Sequence, residues 1–228
     1  MNLAAHYDLL NKKSLEALQE DRYQVDHLID STSDHRFGIT LLIRLNEPTK
    51  KKVQQFLSEL KAIEPNQYYY PNSDLHVTVL SIISCYQGFE LSDISIDQYI
   101  KLLVEVLQDF RALTIEFKGA TFSKSGILIK GFPRAILNQM RDQLRGRFKE
   151  STLRHSIDSR YVLKTAHSTV MRFREPLRNK EELILKTTQH KHTYFGMLEV
   201  GAMELVFNDW YQRSSRTKTL QVIPLKAG

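Results

Sequence analysis

This 228-residue chain is poor in the residues that build disulfide frameworks, flexible linkers and membrane spans. Cys85 is the single cysteine, which excludes an intrachain disulfide and a zinc site made of cysteines. Nine glycines and six prolines are scattered without a low-complexity segment, so a long flexible linker is excluded. No apolar run approaches the roughly 20 residues that span a bilayer. These absences indicate a globular protein in a reducing compartment.

The N-terminal segment MNLAAHYDLLNKK has no long apolar stretch after a basic start. We therefore expect no signal peptide, a cytoplasmic location and no membrane partner. Nothing in the composition points to an obligate protein partner. The length suits one domain or two closely joined lobes.

The charge balance is basic, with a formal net charge of +6 and a pI of about 9.3. This favours an anionic partner such as a nucleotide or RNA, although an ordinary soluble surface would also account for it. The densest basic runs, 50–52 and 141–149, fall on the predicted outer faces of helices. We expect their side chains to be solvated, which makes both runs poor candidates for a catalytic cleft.

One short pattern occurs twice, as His76-Val77-Thr78-Val79 in LHVTVLSI and as His167-Ser168-Thr169-Val170 in YVLKTAHSTVMRF. Both lie in stretches typical of buried strands, where side chains at i and i+2 share a face. The other six of the eight histidines lack threonine at i+2. A lone histidine on an apolar strand is more often a core residue, but two matched copies predict a functional pair.

The two motifs end two similar strand–helix–strand units. Each helix has apolar residues at helical spacing and is predicted to begin at a proline, Pro48 or Pro133. A pseudo-twofold arrangement of these units would place the motif strands at the centres of two lobes, facing one cleft. The units are predicted as strand 37–45, helix 48–63 and strand 75–83, then strand 126–132, helix 133–149 and strand 161–173.

The rest of the chain is predicted to complete an α+β domain. Residues 1–36 form a helical N-terminal extension that docks on a lobe and shapes substrate access rather than chemistry, and residues 37–228 form a single bilobal domain. The remaining elements are predicted as helix 2–20, loop 21–36, loop 64–74, helix 96–110, strand 112–122, helix 178–189, strand 196–207 and strand 217–223.

The two His-x-Thr motifs, about 90 residues apart, resemble those of the two-histidine (2H) phosphoesterase superfamily. That superfamily includes bacterial RNA 2′,3′-cyclic phosphodiesterases, often labelled 2′-5′ RNA ligases. The segment VGAMELVFNDWYQRSSRTKTLQVIPL resembles the closing β-hairpin of these proteins, and the likeness covers residues 37–228. Val77 fits the apolar residue that the superfamily favours after histidine, whereas Ser168 departs from it. The resemblance implies a bilobal fold with antiparallel sheets around a central cleft.

The motif residues suit hydrolysis of a 2′,3′-cyclic phosphate on a nucleotide or RNA end. His76 and His167 would act as general acid and general base, while Thr78 and Thr169 would hold the phosphate. Such chemistry requires no cofactor and no metal. Two alternatives remain open: a non-catalytic RNA- or nucleotide-binding module, and a sugar or nucleotide isomerase or lyase that uses the same histidines.

Further substrate contacts are predicted near the motif strands. Arg44 and Lys130 occupy similar places at the ends of the strands before the two helices, where either could face phosphate or simply be solvated. Tyr70, Tyr86 and Tyr194 lie in or near loops beside the motifs, where an aromatic ring could stack on a base, although edge packing is the commoner role.

One further pattern, His190-Lys191-His192, hints at a metal because histidines at i and i+2 on a strand share a face. No acidic residue lies nearby in the sequence to complete a ligand set. We therefore expect no metal site there.

Overall fold

A computed structural model of the chain describes residues 2–134 and 136–227. Its helices are α1 Leu3–Gln19, α2 Glu47–Ile63, α3 Ile96–Leu107, α4 Ile136–Glu150 and α5 Lys180–Gln189. Its strands are β1 Arg36–Arg44, β2 Tyr68–Tyr69, β3 His76–Gln87, β4 Leu113–Ser123, β5 Gly126–Pro133, β6 Ser168–Arg172, β7 Tyr194–Val200, β8 Ala202–Asp209 and β9 Lys218–Pro224. Short 3-10 turns occur at Leu91–Asp93 and Ser214–Arg216.

The strands form two antiparallel sheets with matching strand orders, β3-β1-β8-β9 and β2-β6-β5-β4-β7. Apart from β2, each strand of one sheet has a counterpart at the same place in the other. The unit β1–α2–β3 corresponds to β5–α4–β6, so the repeated strand–helix–strand units are related by a pseudo-twofold axis. The predicted bilobal α+β architecture is confirmed.

The first of the two matching helices, α2, forms as the sequence predicts. The side chain of Asn46 caps it by accepting a hydrogen bond from the backbone N–H of Thr49, and Pro48 lies in its first turn, where no N–H is needed. Its apolar stripe is buried. The buried positions of that stripe are Val53, Phe56, Leu57, Leu60 and Ile63.

The second matching helix, α4, begins later than predicted. Pro133 ends strand β5, opposite Ile115 of β4, and does not start the helix. Residue 135, within the predicted helix 133–149, lies outside the described residues. From Ile136 onward the helix buries apolar residues at helical spacing, among them Met140, Leu144 and Phe148.

Two predicted strands are wrong in extent. Of 161–173, only the residues of β6 are in the sheet, where they pair with Gly126–Ile129 of β5 and with β2. The predicted strand 196–207 is two strands, β7 and β8, since the chain leaves one sheet and enters the other at Gly201. The predicted loop 64–74 contains the short strand β2.

Helix α1 packs against β4 of the five-stranded sheet. Tyr7 of this helix is buried, and burial of a large apolar side chain contributes about 1.5–3 kcal/mol. Asn11 adds polar contacts, because its Oδ1 accepts hydrogen bonds from the Thr121 hydroxyl and the Phe122 N–H. The helix is therefore docked through specific contacts. Within the described residues, no helix is both long and apolar enough to cross a membrane.

Candidate active site

All four motif residues, His76, Thr78, His167 and Thr169, line one cleft between β3 and β6, with a volume of about 170 Å³. The prediction that the motif strands are the central strands of the two lobes is wrong for β3, which is the edge strand of its sheet. Strand β6 pairs with β5 on one side, and on the other side only the two-residue strand β2 separates it from the edge. His167 lies immediately before β6 rather than within it. The exposed edges of the two sheets therefore form the cleft.

Each motif contains a β-bulge at the valine that follows its threonine. Val79 is skipped in the pairing of β3 with β1, and Val170 is skipped in the pairing of β6 with β5. Bulges re-aim side chains and are common beside active sites. The two lobes thus share the same local irregularity at the same motif position.

The bulges change which later residues face the cleft. Strict alternation from Thr78 and Thr169 would turn the residues three positions further, Ser81 and Arg172, to the opposite face. Beyond the bulges, both Ser81 and Arg172 instead line the cleft. Sequence periodicity missed them for this reason, since nothing in the residues themselves marks a bulge.

The ring of His76 is oriented by the backbone. Its Nδ1 lies 2.7 Å from the carbonyl oxygen of Asp74. A carbonyl can only accept, so Nδ1 carries a proton and the neutral ring keeps Nε2 as an acceptor. Asp74 is itself anchored, since its carboxylate accepts hydrogen bonds from the Ser73 hydroxyl and the Ser214 N–H.

The ring of His167 is oriented by a side chain. Its Nδ1 lies 2.7 Å from the hydroxyl oxygen of Thr165, which is buried. A hydroxyl can donate or accept, so this contact alone allows either tautomer. The backbone of Thr165 is also held, because its carbonyl accepts a hydrogen bond from Arg141.

Both cleft histidines are neutral at pH 7 in the unliganded protein. Burial lowers the pKa of His76 and of His167 to about 4, because the charged ring loses its hydration. The hydrogen bond to Asp74 opposes this shift in the pKa of His76. The charges of Arg141 and Arg172 further lower the pKa of His167, and those of Arg44 and Arg172 further lower the pKa of His76. Each positive charge in this cleft therefore disfavours protonation of a neighbouring imidazole.

Arg141 of α4 joins the two motifs and is fully buried, so the predicted solvation of the run 141–149 is wrong for this residue. Its guanidinium donates hydrogen bonds of 2.8–2.9 Å to the carbonyl oxygens of Thr78, Val79 and Thr165. Burial lowers its pKa to about 10. The residue is charged at pH 7 and holds the bulge of one motif against the segment leading into the other.

Arg172 supplies a cation to the cleft. Its Nε donates a 2.8 Å hydrogen bond to the hydroxyl of Tyr70, and its guanidinium lies over the ring of Tyr211, 5.6 Å from the centroid. Among the residues that the structure describes, no carboxylate lies within ion-pairing distance of it. Tyr70, predicted as a substrate contact, lines the cleft but is 1% exposed and orients Arg172.

The other two predicted tyrosines lie away from the cleft lining. The hydroxyl of Tyr86 accepts a 2.6 Å hydrogen bond from Arg154, and the ring of Tyr194 lies beneath the ammonium group of Lys52, 4.8 Å from its centroid. The structure therefore does not bring these aromatic residues together with the motifs. Each instead contacts a basic side chain, Arg154 at Tyr86 and Lys52 at Tyr194.

Neither predicted cation lines the cleft. Arg44 lies opposite His76 in the β1–β3 pairing, but its guanidinium pairs with Glu204 at 3.2 Å. Lys130 donates a 3.0 Å hydrogen bond to the carbonyl of Lys191. The positions are equivalent in the two lobes, as the sequence indicates, yet both side chains are committed to protein partners.

Aromatic residues that sequence reasoning missed form the opposite wall of the cleft. The guanidinium groups of Arg36 and Arg160 lie over the ring of Trp210, at 4.9 and 4.5 Å from its centroid, and Trp210 lines the cleft. Tyr161 is 67% exposed and lines the cleft from the irregular segment before β6. The single tryptophan of the chain, Trp210, is the one feature of the sequence that could have indicated an aromatic cleft wall.

The His190-x-His192 pattern lies in a turn after α5 and not on a strand. Nε2 of His190 is 3.3 Å from a carboxylate oxygen of Glu59, and its ring packs on Phe56. Within residues 2–134 and 136–227, no group of three or more histidine, cysteine or acidic side chains is arranged to hold a metal ion.

Comparison with known proteins identifies the fold. No family model matches the chain, and no curated protein matches its sequence. Among solved structures, TT0787 of Thermus thermophilus matches with a TM-score of 0.57 and 13% identity, covering 83% of this chain and 98% of that one. E. coli LigT complexed with 3′-AMP matches with a TM-score of 0.53 and 15% identity, covering 84% and 99%.

A protein described as a phosphoesterase matches with a TM-score of 0.50 and 14% identity, covering 84% of this chain and 99% of that one. The chain therefore has the bilobal 2H phosphoesterase fold, as the resemblance of its motifs implied.

Proposed function

We propose that this chain is a metal-independent phosphoesterase that hydrolyses a 2′,3′-cyclic phosphate on a nucleotide or RNA end. The observation that carries the proposal is the meeting of both His-x-Thr motifs in one cleft. Each histidine has its Nδ1 engaged by the protein, which leaves Nε2 for the substrate. Two imidazoles on one phosphate can supply the two proton transfers that hydrolysis needs.

In the reaction, a water oxygen attacks phosphorus and loses a proton to the Nε2 of one histidine. The bond from phosphorus to one ribose oxygen breaks, and that oxygen takes a proton from the other histidine. The product is a phosphomonoester. Both imidazoles are neutral at pH 7 before the substrate binds. The histidine that acts as the acid must therefore gain a proton when the anionic substrate enters, because a nearby negative charge raises a histidine pKa.

The surroundings of the two rings favour His76 as the acid and His167 as the base. The hydrogen bond from His76 Nδ1 to the Asp74 carbonyl favours the charged ring and works against the lowering of its pKa. Cations disfavour the charged form of both rings, Arg44 and Arg172 at His76 and Arg141 and Arg172 at His167, so the hydrogen bond to the Asp74 carbonyl is the difference between them. If binding of the anionic substrate leads to protonation of one of the two histidines, the proton would therefore go to His76.

The phosphate oxygens would be held by Thr78, Thr169 and Arg172. The two hydroxyls can donate to the non-bridging oxygens, where the negative charge is concentrated. The guanidinium of Arg172 faces the cleft without a carboxylate partner in the described residues and can form charge-assisted hydrogen bonds to the same group.

A nucleotide is the substrate class that the comparisons and the charge favour. LigT, a neighbour in fold, was crystallised with 3′-AMP, a nucleoside phosphomonoester. The net charge of +6 favours anionic partners, and the exposed ring of Tyr161 at the cleft offers a surface on which a base can stack.

The test is a panel of 2′,3′-cyclic nucleotides and a short RNA ending in a 2′,3′-cyclic phosphate, each incubated with and without EDTA. The proposal requires a phosphomonoester product that forms equally in both conditions. Tight binding without turnover would indicate a binding module. Conversion to a product that retains the cyclic phosphate would indicate an isomerase or lyase.

A further inference from the structure

Arg160 is a second cation in the cleft lining, in addition to Arg172. It belongs to the irregular segment 151–167 between α4 and β6. Of the carboxylates in the part of the chain that the structure describes, none lies within ion-pairing distance of its guanidinium. The acidic residue nearest to it in the chain, Asp158, is instead bound by Arg145 through hydrogen bonds of 2.6 and 3.3 Å. The positive charge of Arg160 is therefore available to an anion in the cleft.

Two uncharged groups hold the Arg160 side chain in place. One Nη donates a 2.9 Å hydrogen bond to the carbonyl oxygen of Cys85 on β3, and the guanidinium lies over the ring of Trp210, 4.5 Å from its centroid. A guanidinium has five N–H donors and stays charged in proteins. The carbonyl takes one of these donors, so the others can bind the oxygens of a ligand.

The backbone that leads to Arg160 is fixed to the edge of β3. The Ser156 N–H donates a 2.9 Å hydrogen bond to the carbonyl oxygen of Ile82, and the Ser156 hydroxyl accepts one of 2.7 Å from the Ser84 N–H. Asp158 then turns the chain with a φ of 58°, in the left-handed region that aspartate enters more readily than most residues. The cation is thus placed before a ligand arrives, which lowers the ordering cost of binding.

Arg160 is too far from the motifs to bind the same phosphate as they do. Its partner Cys85 lies seven residues after Thr78 on β3. At about 3.3 Å per residue this is roughly 20 Å of strand. A phosphate held by the motif threonines therefore cannot reach a guanidinium that is bonded to the Cys85 carbonyl. Both positions line one cleft, so an anion at Arg160 would be a second group of the same ligand.

Tyr161 places an aromatic ring next to this cation in the chain. Its side chain is 67% exposed and lines the cleft. Proteins bind single-stranded nucleic acids with cations that contact the backbone and with aromatic rings on which the bases stack. Arg160 and Tyr161 supply one group of each kind.

We propose that Arg160 and Tyr161 form an upstream subsite, which binds a phosphodiester and a base of a single-stranded RNA whose 3′-terminal cyclic phosphate lies at the motifs. The inference rests on the proposed function for the position of the cyclic phosphate, and it narrows the substrate to an oligonucleotide end. A cyclic phosphate closes the 3′ end of a strand, so every further phosphate lies on its 5′ side. The strand would follow β3 from His76 toward Cys85 and leave the cleft at Tyr161.

The test measures binding of three ligands with a 3′-phosphate, a mononucleotide, a dinucleotide and a tetranucleotide, by isothermal titration calorimetry at several salt concentrations. Arg160→Gln removes the cation and Tyr161→Ala removes the ring. Arg154→Gln is the matched control, because Arg154 belongs to the same segment and lies over the ring of Tyr86, 5.4 Å from its centroid, but does not line the cleft. Thermal melting of each variant checks that it is folded.

In the wild type and in Arg154→Gln, the affinity should rise from the mononucleotide to the tetranucleotide. Arg160→Gln should weaken binding of the tetranucleotide by about three- to tenfold, without a matching loss for the mononucleotide. Its slope of log affinity against log salt for the tetranucleotide should be shallower by about 0.7, the value for one phosphate contact on a single strand. Tyr161→Ala should weaken binding of the tetranucleotide without changing this slope.

Three results would overturn the inference. The first is equal affinity of the wild type for the mononucleotide and the tetranucleotide. The second is an Arg160→Gln variant that binds every ligand as the wild type does. The third is an equal loss of affinity for all three ligands in that variant, which would place Arg160 at the terminal phosphate.

Binding is measured without turnover, so this test and the test of hydrolysis can fail separately. Length-dependent binding that requires Arg160, with no hydrolysis of any cyclic phosphate, would overturn the proposed function and leave the upstream subsite intact. If cyclic mononucleotides are hydrolysed and kcat/KM does not rise for a tetranucleotide with a cyclic end, the proposed function stands and the upstream subsite is wrong.

Discussion

Ser81 and Arg172 occupy equivalent positions in the two lobes, each three residues after the threonine of its motif and each turned into the cleft by a bulge. The pseudo-twofold axis thus relates a small neutral side chain to a long cationic one. A symmetric fold therefore carries an asymmetric cleft, in which the charge for an anionic ligand comes from the second lobe.

The first prediction concerns this cation. Arg172→Gln should weaken binding of a nucleoside 3′-monophosphate by about 10- to 100-fold, because a hydrogen bond to a charged group contributes about 1.5–3 kcal/mol. Isothermal titration calorimetry measures the change. The control is Arg174→Gln, two residues further, whose guanidinium is bound to Asp30 at the surface. Equal affinities for the Arg172 variant and the wild type would remove Arg172 from the phosphate site.

The second prediction concerns Arg141. Arg141→Met should lower the free energy of unfolding by about 3 kcal/mol or more, because it leaves several buried carbonyls without a donor, each costing about 1–3 kcal/mol. Urea denaturation at pH 7 measures this. Arg147→Met on the same helix is the control, since its guanidinium is half exposed and pairs with Glu105. A loss no larger than that of the control would show that Arg141 is not a structural clamp.

The third prediction concerns stability in acid. The pKa values of His76 and His167 are about 4 in the folded protein and about 6.5 in the unfolded chain. Between these values the unfolded chain binds more protons, so stability should fall as the pH falls from 6.5 toward 4. Each histidine contributes at most about 3 kcal/mol to this loss.

The measurement is the free energy of unfolding of the wild type and of His76→Gln/His167→Gln from pH 7 to pH 4. Neutral glutamine at both positions should flatten the curve in this window. Parallel curves for the two proteins would show that neither imidazole resists protonation in the folded state.

The fourth prediction concerns ligand-linked protonation. Sulfate does not titrate near neutrality, so any protons taken up from the buffer on its binding go to the protein. At pH 5.5 both histidines are neutral in the free cleft, and the anion should raise their pKa values and draw in protons. Calorimetry in buffers of different ionisation enthalpy should detect this uptake, and His76→Gln should reduce it. Binding without any proton uptake would mean that sulfate does not sit beside the imidazoles.

Sequence reasoning found the four motif residues because His-x-Thr on alternating strand positions needs only the local period of two. It also found the two lobes, since each repeat unit carries its own apolar periodicity. It missed Arg141 and Arg172 for distinct physical reasons. Arg141 lies in a basic run that resembles a solvated face, and only its tertiary acceptors explain its burial, whereas Arg172 depends on a bulge.

The extent of the second motif strand was overestimated for a related reason. The segment 161–167 is partly apolar and β-branched, but strand formation depends on backbone pairing. Strand β5 continues to Pro133, yet it pairs with the second motif strand only through Gly126–Ile129. In the unpaired segment 161–167, Tyr161 lines the cleft and Thr165 contacts the ring of His167. Those contacts come from the tertiary structure and have no signature in a single sequence.

The most direct test of paired-histidine catalysis is the kcat/KM of His76→Gln and His167→Gln in EDTA, on the cyclic nucleotide that the wild type hydrolyses fastest. Each histidine carries a separate proton transfer, so each variant should lose about 10²–10⁴-fold while remaining folded at pH 7. The exposed His27→Gln serves as the control and should retain wild-type activity. Wild-type kcat/KM in either cleft variant would contradict the paired-histidine mechanism.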